Sequence, residues 1–495
     1  YMDWATQPDP FRRYDGSELI SLPLMLETDT PAYRDIFEEG NVTPSELNLE
    51  TLSQLLQFSL GLAAWKSIGN DSWALRCNAS SGNLHPTEAY IAAPPVEGLS
   101  STSTLTHYVS KEHGIEQLAE FDTTYWNDLP EGSFLVALSS VLWREAWKYG
   151  ERAFRYCQLD AGHAQRAVEV SAAMLGWKVD RLNVAVKQLD RLIGIDQTDR
   201  YMNEERESAD MLLLITPEPV NAPDITMLVN DLPEHYTGKA NRLSPSHHPW
   251  EAIDLAEKAT HIDGQAVPYS FTASQRTCDR DSKEVVLKRR SAQAMDFGLA
   301  TISKTEFMTM MQSVKARNET AVNFVLFIHH VEELPKGLYM MVRNPGHLSS
   351  LKTSTREDFL WREYGDGLYL LEEGDFKPQA KFISCSQDIA ADSAFSLGML
   401  CEFKNQLESH GAHRYKELYW ECGAIGQQLY LEATSLKLSA TGIGCFLDDV
   451  LHRMLGLEAN KFQTLYHFTI GRPIIDMRLT TLPPYAHLSE VTRQY

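Results

Sequence analysis

Cysteine is scarce in this chain and poorly placed for cross-linking. The 495 residues hold seven, an odd number, at Cys77, Cys157, Cys278, Cys385, Cys401, Cys422 and Cys445. None forms a CxxC pair, so the spacing predicts neither a disulfide framework nor a zinc ribbon, and a reducing, cytoplasmic location suits it. Long apolar runs are also missing: Phe134 to Trp143 and Val322 to Val331 fall well short of the ~20 residues that a spanning helix needs. The opening Tyr1-Met2-Asp3-Trp4 lacks a basic stretch followed by an apolar one, so no signal peptide is expected. Positive charge is in deficit. Lys and Arg number 45 against 67 Asp and Glu, a net −22, and the resulting repulsion argues against nucleic acid or a membrane surface as a general partner. No HExxH, GxSxG or GxxxxGK(S/T) motif occurs, and no metal site is expected. What remains is an ordinary globular composition, 43% hydrophobic and 23% charged, with enough chain for two or three domains of about 150 residues each.

The chain repeats itself. Gln158-Leu159-Asp160-Ala161-Gly162-His163 is followed by an apolar stripe at Ala164, Val168, Ala172 and Leu175, then by Arg191-Leu192-Ile193-Gly194. Tyr419-Trp420-Glu421-Cys422-Gly423-Ala424 is followed by Ile425, Leu429, Ala433 and Leu436, then by Arg453-Met454-Leu455-Gly456. Every stripe position is offset by 261 residues. The i, i+4, i+8, i+11 spacing predicts an amphipathic helix with a narrow buried stripe in each copy. Each helix leads through a second helical stretch to an apolar run, Met211 to Ile215 or Leu465 to Ile470, that reads as a buried strand. The Pro-, His- and Asp-rich stretch between the copies reads as a long connector with little core of its own.

Two segments carry chemistry. The front copy contains Arg76-Cys77-Asn78-Ala79-Ser80-Ser81-Gly82-Asn83-Leu84-His85-Pro86, small hydrogen-bonding residues around one glycine, which suits either a plain turn or a polyhydroxylated ligand. The back copy opens with Lys288-Arg289-Arg290-Ser291-Ala292-Gln293-Ala294-Met295-Asp296. Two guanidinium groups and a hydroxyl suit a phosphate monoester, whereas a short basic run by itself is usually a solvated surface. The two copies are complementary, since each has the segment that the other lacks.

These segments, in this order, resemble the nitroreductase-like flavoprotein superfamily, and most closely its SagB/ThcOx-type branch in a form with two tandem domains. The resemblance implies an α+β fold of two fused nitroreductase-like domains forming an intramolecular pseudo-dimer, each a mostly antiparallel sheet flanked by helices. It implies one FMN per chain, held by groups from both copies. Arg289, Arg290 and Ser291 match the phosphate-binding run, and Ser80, Ser81, Gly82 and Asn83 match the serine-rich loop at the ribityl chain and pyrimidine edge. Gly442-Ile443-Gly444 is similar to the segment whose backbone approaches flavin N5. Its front counterpart, Lys178 to Val184, lacks both glycines. Near the end, Arg478, in preference to Arg472, matches a basic residue that returns to the phosphate. Trp147-Lys148-Tyr149-Gly150-Glu151-Arg152 is similar to the Lys-Tyr-Gly stretch of azoline-oxidising members, which makes Lys148 and Tyr149 acid/base candidates. A phenol beside an ammonium group is expected to have a lowered pKa. A structural tyrosine under a salt-bridged helix start is the other reading of the same residues.

The expected layout is an N-terminal arm at 1–45, domain 1 at 46–216, a connector at 217–282 and domain 2 at 283–495. The expected function is an FMN-dependent oxidoreductase transferring hydride through flavin N5 with NAD(P)H as donor. Two alternatives stay open: an azoline or peptide dehydrogenase using oxygen as acceptor, and a non-catalytic flavin-binding or docking partner in a biosynthetic cluster. A small molecule or peptide is the expected substrate, and the chain is expected to act as a monomeric pseudo-dimer or a higher homo-oligomer.

Overall fold

The apolar runs that are too short for a membrane are the central strands of two sheets. The computed structural model describes residues 2–221, 223–261, 266–458 and 460–488. Residues 222 and 262–265 of the expected connector, and 489–495 of the expected second domain, lie outside the described residues. One compact unit comprises Tyr1–Ala266, Asp281–Leu287 and Arg478–Tyr495, and a second comprises Val267–Arg280 and Lys288–Met477.

In the first unit seven strands pair in the order Glu18–Ser21, Gly114–Phe121, Ser103–Val109, Thr87–Ala93, Phe134–Val141, Glu207–Thr216 and Lys178–Arg181. In the second the order is Arg362–Glu363, Leu368–Glu373, Gly337–Met341, Val322–Ile328, Phe395–Glu402, Phe462–Gly471 and Ser439–Ile443. All these ladders are antiparallel. Beyond the first strand, the two sheets have the same connectivity, so the internal repeat is a repeat of fold. The outer strand has a different origin in each: the N-terminal arm supplies Glu18–Ser21, whereas Arg362–Glu363 belongs to a hairpin of its own unit.

Helices follow the sheets in the same sequence. In the first unit these are α1 (Leu142–Tyr149), α2 (Ala153–Met174) and α3 (Val186–Ile193). In the second they include α4 (Arg414–Ser435) and α5 (Asp448–Leu455). Both α3 and α5 end on a left-handed glycine, Gly194 at φ 78° and Gly456 at φ 77°, a conformation that side chains resist. Asp448 and Asp449 open α5, where carboxylates favour the positive end of the helix.

The narrow buried stripe expected on the repeated helices gives way to burial on nearly all sides. Besides the apolar stripe, α2 buries Gln158, Asp160, His163 and Gln165, and α4 buries Glu417, Glu421, Gln427, Gln428 and Glu432. Periodicity reports only the apolar stripe, whereas polar residues are admitted to a core wherever partners satisfy them. Part of the stretch read as a connector likewise has core: Ile225, Leu228, Leu232 and Tyr236 are buried in the cluster that includes Leu189, Leu192 and Leu212.

One expectation is corrected outright. Cys385 and Cys445 are joined by a disulfide, with their Cα atoms 6.0 Å apart at a sequence separation of 60. The pairing is tertiary, which is why spacing did not announce it. The Leu447 N–H donates to the Ile383 carbonyl at 2.7 Å and brings the two segments side by side. Among the described residues, no helix is long and apolar enough to cross a membrane.

Candidate functional site

In the first unit the candidate residues gather where α1 meets α2. Glu145, Lys148 and Tyr149 are three and four positions apart on α1, so helical geometry puts them on one side. The helix stops at Gly150, at φ 57°, where a Cβ would come within 3.1 Å of the Trp250 ring. The Lys148 ammonium lies 5.3 Å from the centre of the Tyr149 ring, and that ring meets Tyr156 edge-on at 4.6 Å. A Cβ added to Gly82, itself at φ 59°, would sit 2.5 Å from the Tyr149 hydroxyl and 3.2 Å from the Lys148 ammonium. The Lys-Tyr pair and the serine-rich loop therefore meet at Gly82.

Asp160 on α2 ties the loop down. Its carboxylate accepts Ser80 Oγ at 2.7 Å, and Ser81 N at 3.0 Å and Ser81 Oγ at 2.9 Å. Ser80 Oγ also accepts the His85 N–H at 2.8 Å, and Asn83 Nδ2 donates to the Ala74 carbonyl at 2.9 Å. The hydroxyl hydrogens expected to face a ligand are thus given to a buried carboxylate, while their oxygen lone pairs keep accepting capacity. Burial pushes Asp160 up to about 7, against the pull of the serine donors and of Glu145. Glu145 is driven well above the carboxylate range by burial and then by the Asp160 charge. Tyr149 departs from expectation. Burial, and then Glu145, Tyr156 and Asp160, push its pKa up rather than down, so it is held as a phenol.

In the second unit the segment from Arg289 to Ala292 lies along the strand Ser439–Ile443. Ser291 bridges in parallel to Ala440, the Ala292 N–H donates to the Ala440 carbonyl at 3.1 Å, and Thr441 Oγ1 donates to the Ala292 carbonyl at 2.6 Å. Tyr430 of α4 holds the corner together. Its hydroxyl pairs with the Ser291 hydroxyl at 2.7 Å and accepts the Gly442 N–H at 2.8 Å, and the Arg289 guanidinium lies 5.0 Å from its ring centre. At Gly442 a Cβ would stand 1.9 Å from the Tyr466 hydroxyl, so only glycine fits. Arg290 donates to the Arg289 carbonyl at 2.6 Å. The terminal segment pairs beside this run, with the Asp296 N–H donating to the Arg472 carbonyl at 2.8 Å and Ile474 N–H to the Ala294 carbonyl at 2.9 Å. Ile443 ends the strand, with Gly444 and the disulfide-bonded Cys445 beyond it. Arg478 belongs to the first unit. The donor chemistry fits a phosphate monoester: a planar cation, a hydroxyl and a glycine-cleared strand edge stand together.

Three residues of these corners escaped sequence reasoning: Asp160, Glu145 and Tyr430. Asp160 and Glu421 occupy the same position of the repeat, and both are buried carboxylates that hold a hydroxyl from the loop ahead of the next central strand, since Glu421 accepts Thr320 Oγ1. That shared position was a usable signal. Tyr430 gave none, because a tyrosine on an apolar helix reads as core.

With this geometry in view, the chain can be compared with known proteins. Residues 362–472, in the second unit, match the Nitroreductase family. No curated protein matches the sequence. Over its whole length the chain shares the fold of a protein from Anabaena variabilis assigned to the nitroreductases, with a TM-score of 0.71 at 20% identity, covering 96% of each chain. A Ralstonia eutropha protein of the same assignment superposes at 15% identity with a TM-score of 0.31, over 44% of this chain and 97% of that one. A chain of the Escherichia coli microcin synthetase complex with truncated pro-microcin bound does so at 16% identity with a TM-score of 0.28, over 36% and 65%. The chain is a nitroreductase-like α+β protein. Its second unit includes the stretch that matches the Nitroreductase family.

Proposed function

We propose that this chain is an FMN-dependent oxidoreductase of nitroreductase type that transfers hydride through flavin N5 and draws its electrons from NAD(P)H. The observation that carries this reading is the meeting of Arg289, Ser291 and Gly442 around Tyr430, inside the unit that matches the family.

When bound, FMN supplies two-electron hydride chemistry, and the protein supplies binding, orientation and proton management. The Arg289 and Arg290 guanidinium groups and the Ser291 hydroxyl are assigned to the phosphate, with Arg478 as a further cation. Gly442-Ile443-Gly444 is assigned to the flavin edge. Because the Gly442 N–H is already donated to Tyr430, the backbone of Ile443 and Gly444 is the part offered to a ligand. Ser80, Ser81, Gly82 and Asn83 are assigned to the ribityl and pyrimidine groups, with the serine oxygens as acceptors.

Lys148 and Tyr149 manage the proton. Hydride arriving at an acceptor leaves it one proton short, and a buried phenol beside an ammonium group is a donor in the right state at neutral pH. This favours reduction of a small acceptor over dehydrogenation of a peptide, which calls for a base. One FMN per chain follows from the single phosphate run and the single glycine-cleared strand.

The test is optical. The purified chain should carry flavin absorbance, NADPH should bleach it without oxygen, and Arg289→Ala with Ser291→Ala should lose most of it. A colourless protein that refuses added FMN, or unchanged occupancy in the double variant, overturns the reading.

A further inference from the structure

The two copies make the same connection after their last sheet strand, and in one of them it is bridged. In the first unit Leu182-Asn183-Val184-Ala185 joins the strand Lys178–Arg181 to α3, and in the second Gly444-Cys445-Phe446-Leu447 joins Ser439–Ile443 to α5. Both loops are four residues long, and both bury their third residue, Val184 or Phe446. Asn183 stands where the second copy has Cys445. The loop therefore closes without a disulfide in one copy, and chain geometry alone does not call for the Cys385–Cys445 bond in the other.

The bond is open to attack. Cys445 is exposed and Cys385 half-buried, whereas Cys77, Cys157, Cys401 and Cys422 are buried. Cys385 and Ser386 are the central residues of a turn closed by the Gln387 N–H on the Ser384 carbonyl at 3.2 Å, and their φ angles are 54° and 59°. Positive φ at both central positions suits glycine or asparagine, and other residues hold it at a cost. Exposed or strained disulfides are the ones that exchange readily, and this one is placed for exchange rather than for stapling a core.

What the bond restrains is the end of the glycine strand. The ladder with Phe462–Gly471 finishes at Ile443, opposite His467. Beyond it, Gly444 to Leu447 is held by the Phe446 ring stacked on His467 at 4.3 Å, by the Leu447 N–H on the Ile383 carbonyl at 2.7 Å, and by the disulfide. Of these, the disulfide sits beside Gly444 and is a bond that chemistry can open and close.

We propose that Cys385–Cys445 is a redox site worked by a dithiol, and that opening it loosens the Gly444–Leu447 loop and weakens the hold on flavin. A thiolate of the dithiol attacks the Cys445 sulfur, the bond to Cys385 breaks, and Cys385 leaves as a thiolate that takes up a proton. The second thiol of the reductant then attacks the mixed disulfide, and Cys445 leaves and is protonated in turn. The dithiol ends as a disulfide, and the chain gains two electrons and two protons. Reoxidation runs the same steps backwards. The exchange rests on the second unit alone, whereas the effect on flavin rests on the proposed function.

Trapping tests the exchange. The native full chain is treated with dithiothreitol, or with reduced thioredoxin as a protein dithiol, then alkylated and mapped by mass spectrometry. Cys385 and Cys445 should be labelled while Cys77, Cys157, Cys401 and Cys422 stay unlabelled. Reduction by thioredoxin at far lower concentration than dithiothreitol assigns a protein dithiol, and equal requirements assign a small one. A bond that opens only in denaturant, or a chain with no bond before reduction, overturns the redox site. Amide hydrogen exchange at Gly444 and Phe446 should rise several-fold on reduction, with circular dichroism unchanged, and fall again on reoxidation. Cys445→Ser should show the raised rate with or without reductant. Unchanged exchange in the reduced wild-type chain overturns the loosening whether or not the variant folds. Titration with FMN should give a several-fold higher Kd for the reduced chain, and equal affinities overturn the coupling to flavin. A chain that exchanges and loosens but binds no FMN in either state keeps the redox site and sinks the flavin reading, so the two failures are distinguishable.

Discussion

Gly82 lies directly against Tyr149: a methyl group on its Cα would come within 2.5 Å of the phenol oxygen. The contact joins the serine-rich loop to the helix that carries Lys148, and Gly82 makes it from the left-handed region at φ 59°. Gly82→Ala should therefore cost roughly 1–2 kcal/mol through backbone conformation alone, and it should also displace the Tyr149 hydroxyl. Chemical denaturation checks the first effect. For the second, on the function proposed above, turnover should fall by more than flavin content falls, because Gly82 lies against the Tyr149 hydroxyl assigned to proton transfer.

A different set of charges makes the stability of the first unit depend on pH. His107 is fully buried, with Nε2 2.8 Å from Glu88 and Nδ1 3.0 Å from Glu116. Burial works against the imidazolium charge, yet hydrogen bonds to Glu116 and Glu88 outweigh it and raise the group to about 9 from an ordinary 6.5. A raised folded-state value means that the folded chain holds the proton more tightly than the unfolded one. The stabilisation is complete below about 6.5 and is lost as pH climbs through about 9. His107→Gln should destabilise the chain by roughly 1.5–3 kcal/mol at neutral pH, because Glu88 and Glu116 lose a charged hydrogen-bond partner while keeping Arg144 and Arg13. Denaturation curves taken across that window should slope downward in the wild type and lie nearly flat in the variant.

The disulfide invites a count. Five cysteines are free, and Cys385 and Cys445 are bonded. Thiol titration of the denatured chain should give five groups without reductant and seven with it. Because the bridge closes a 60-residue span, reduction should lower stability by on the order of 2–4 kcal/mol. It should also loosen the strand end at Ile443, where Cys445 follows two residues later. Seven thiols without reductant would show that the bond is absent in solution.

Much of this architecture was legible because a repeat reports on itself. The offset of 261 placed α2 and α4 residue by residue, and the two apolar runs gave the strands at Glu207–Thr216 and Phe462–Gly471. The basic run and the glycine pair, far apart in sequence, meet at Tyr430. What stayed hidden depended on three-dimensional context. Cys385 and Cys445 meet through loop packing that no spacing encodes. The direction of the Tyr149 shift was missed because Lys148 is visible in the sequence, whereas burial, Glu145 and Asp160 act only through the fold. The outer strand of the first sheet came from an arm too short and too polar to show a strand pattern.

Tyr430 offers the sharpest test of the second unit's corner. Its hydroxyl contacts both the phosphate candidate Ser291 and the glycine strand at Gly442, and its ring faces the Arg289 guanidinium. Tyr430→Phe removes the oxygen and keeps the ring, so the cation–ring contact and the helix packing persist while the Gly442 N–H loses its acceptor. An unpaired amide there costs about 1–3 kcal/mol. The expected result is a chain with unchanged circular dichroism and a flavin-to-protein absorbance ratio reduced several-fold, recovered in part at high added FMN. Tyr430→Ala should abolish retention by also withdrawing the surface on which Arg289 rests. If Tyr430→Phe retains flavin as well as the wild type, the hydroxyl only braces the strand, and the corner is organised by Arg289 and Ser291 without it.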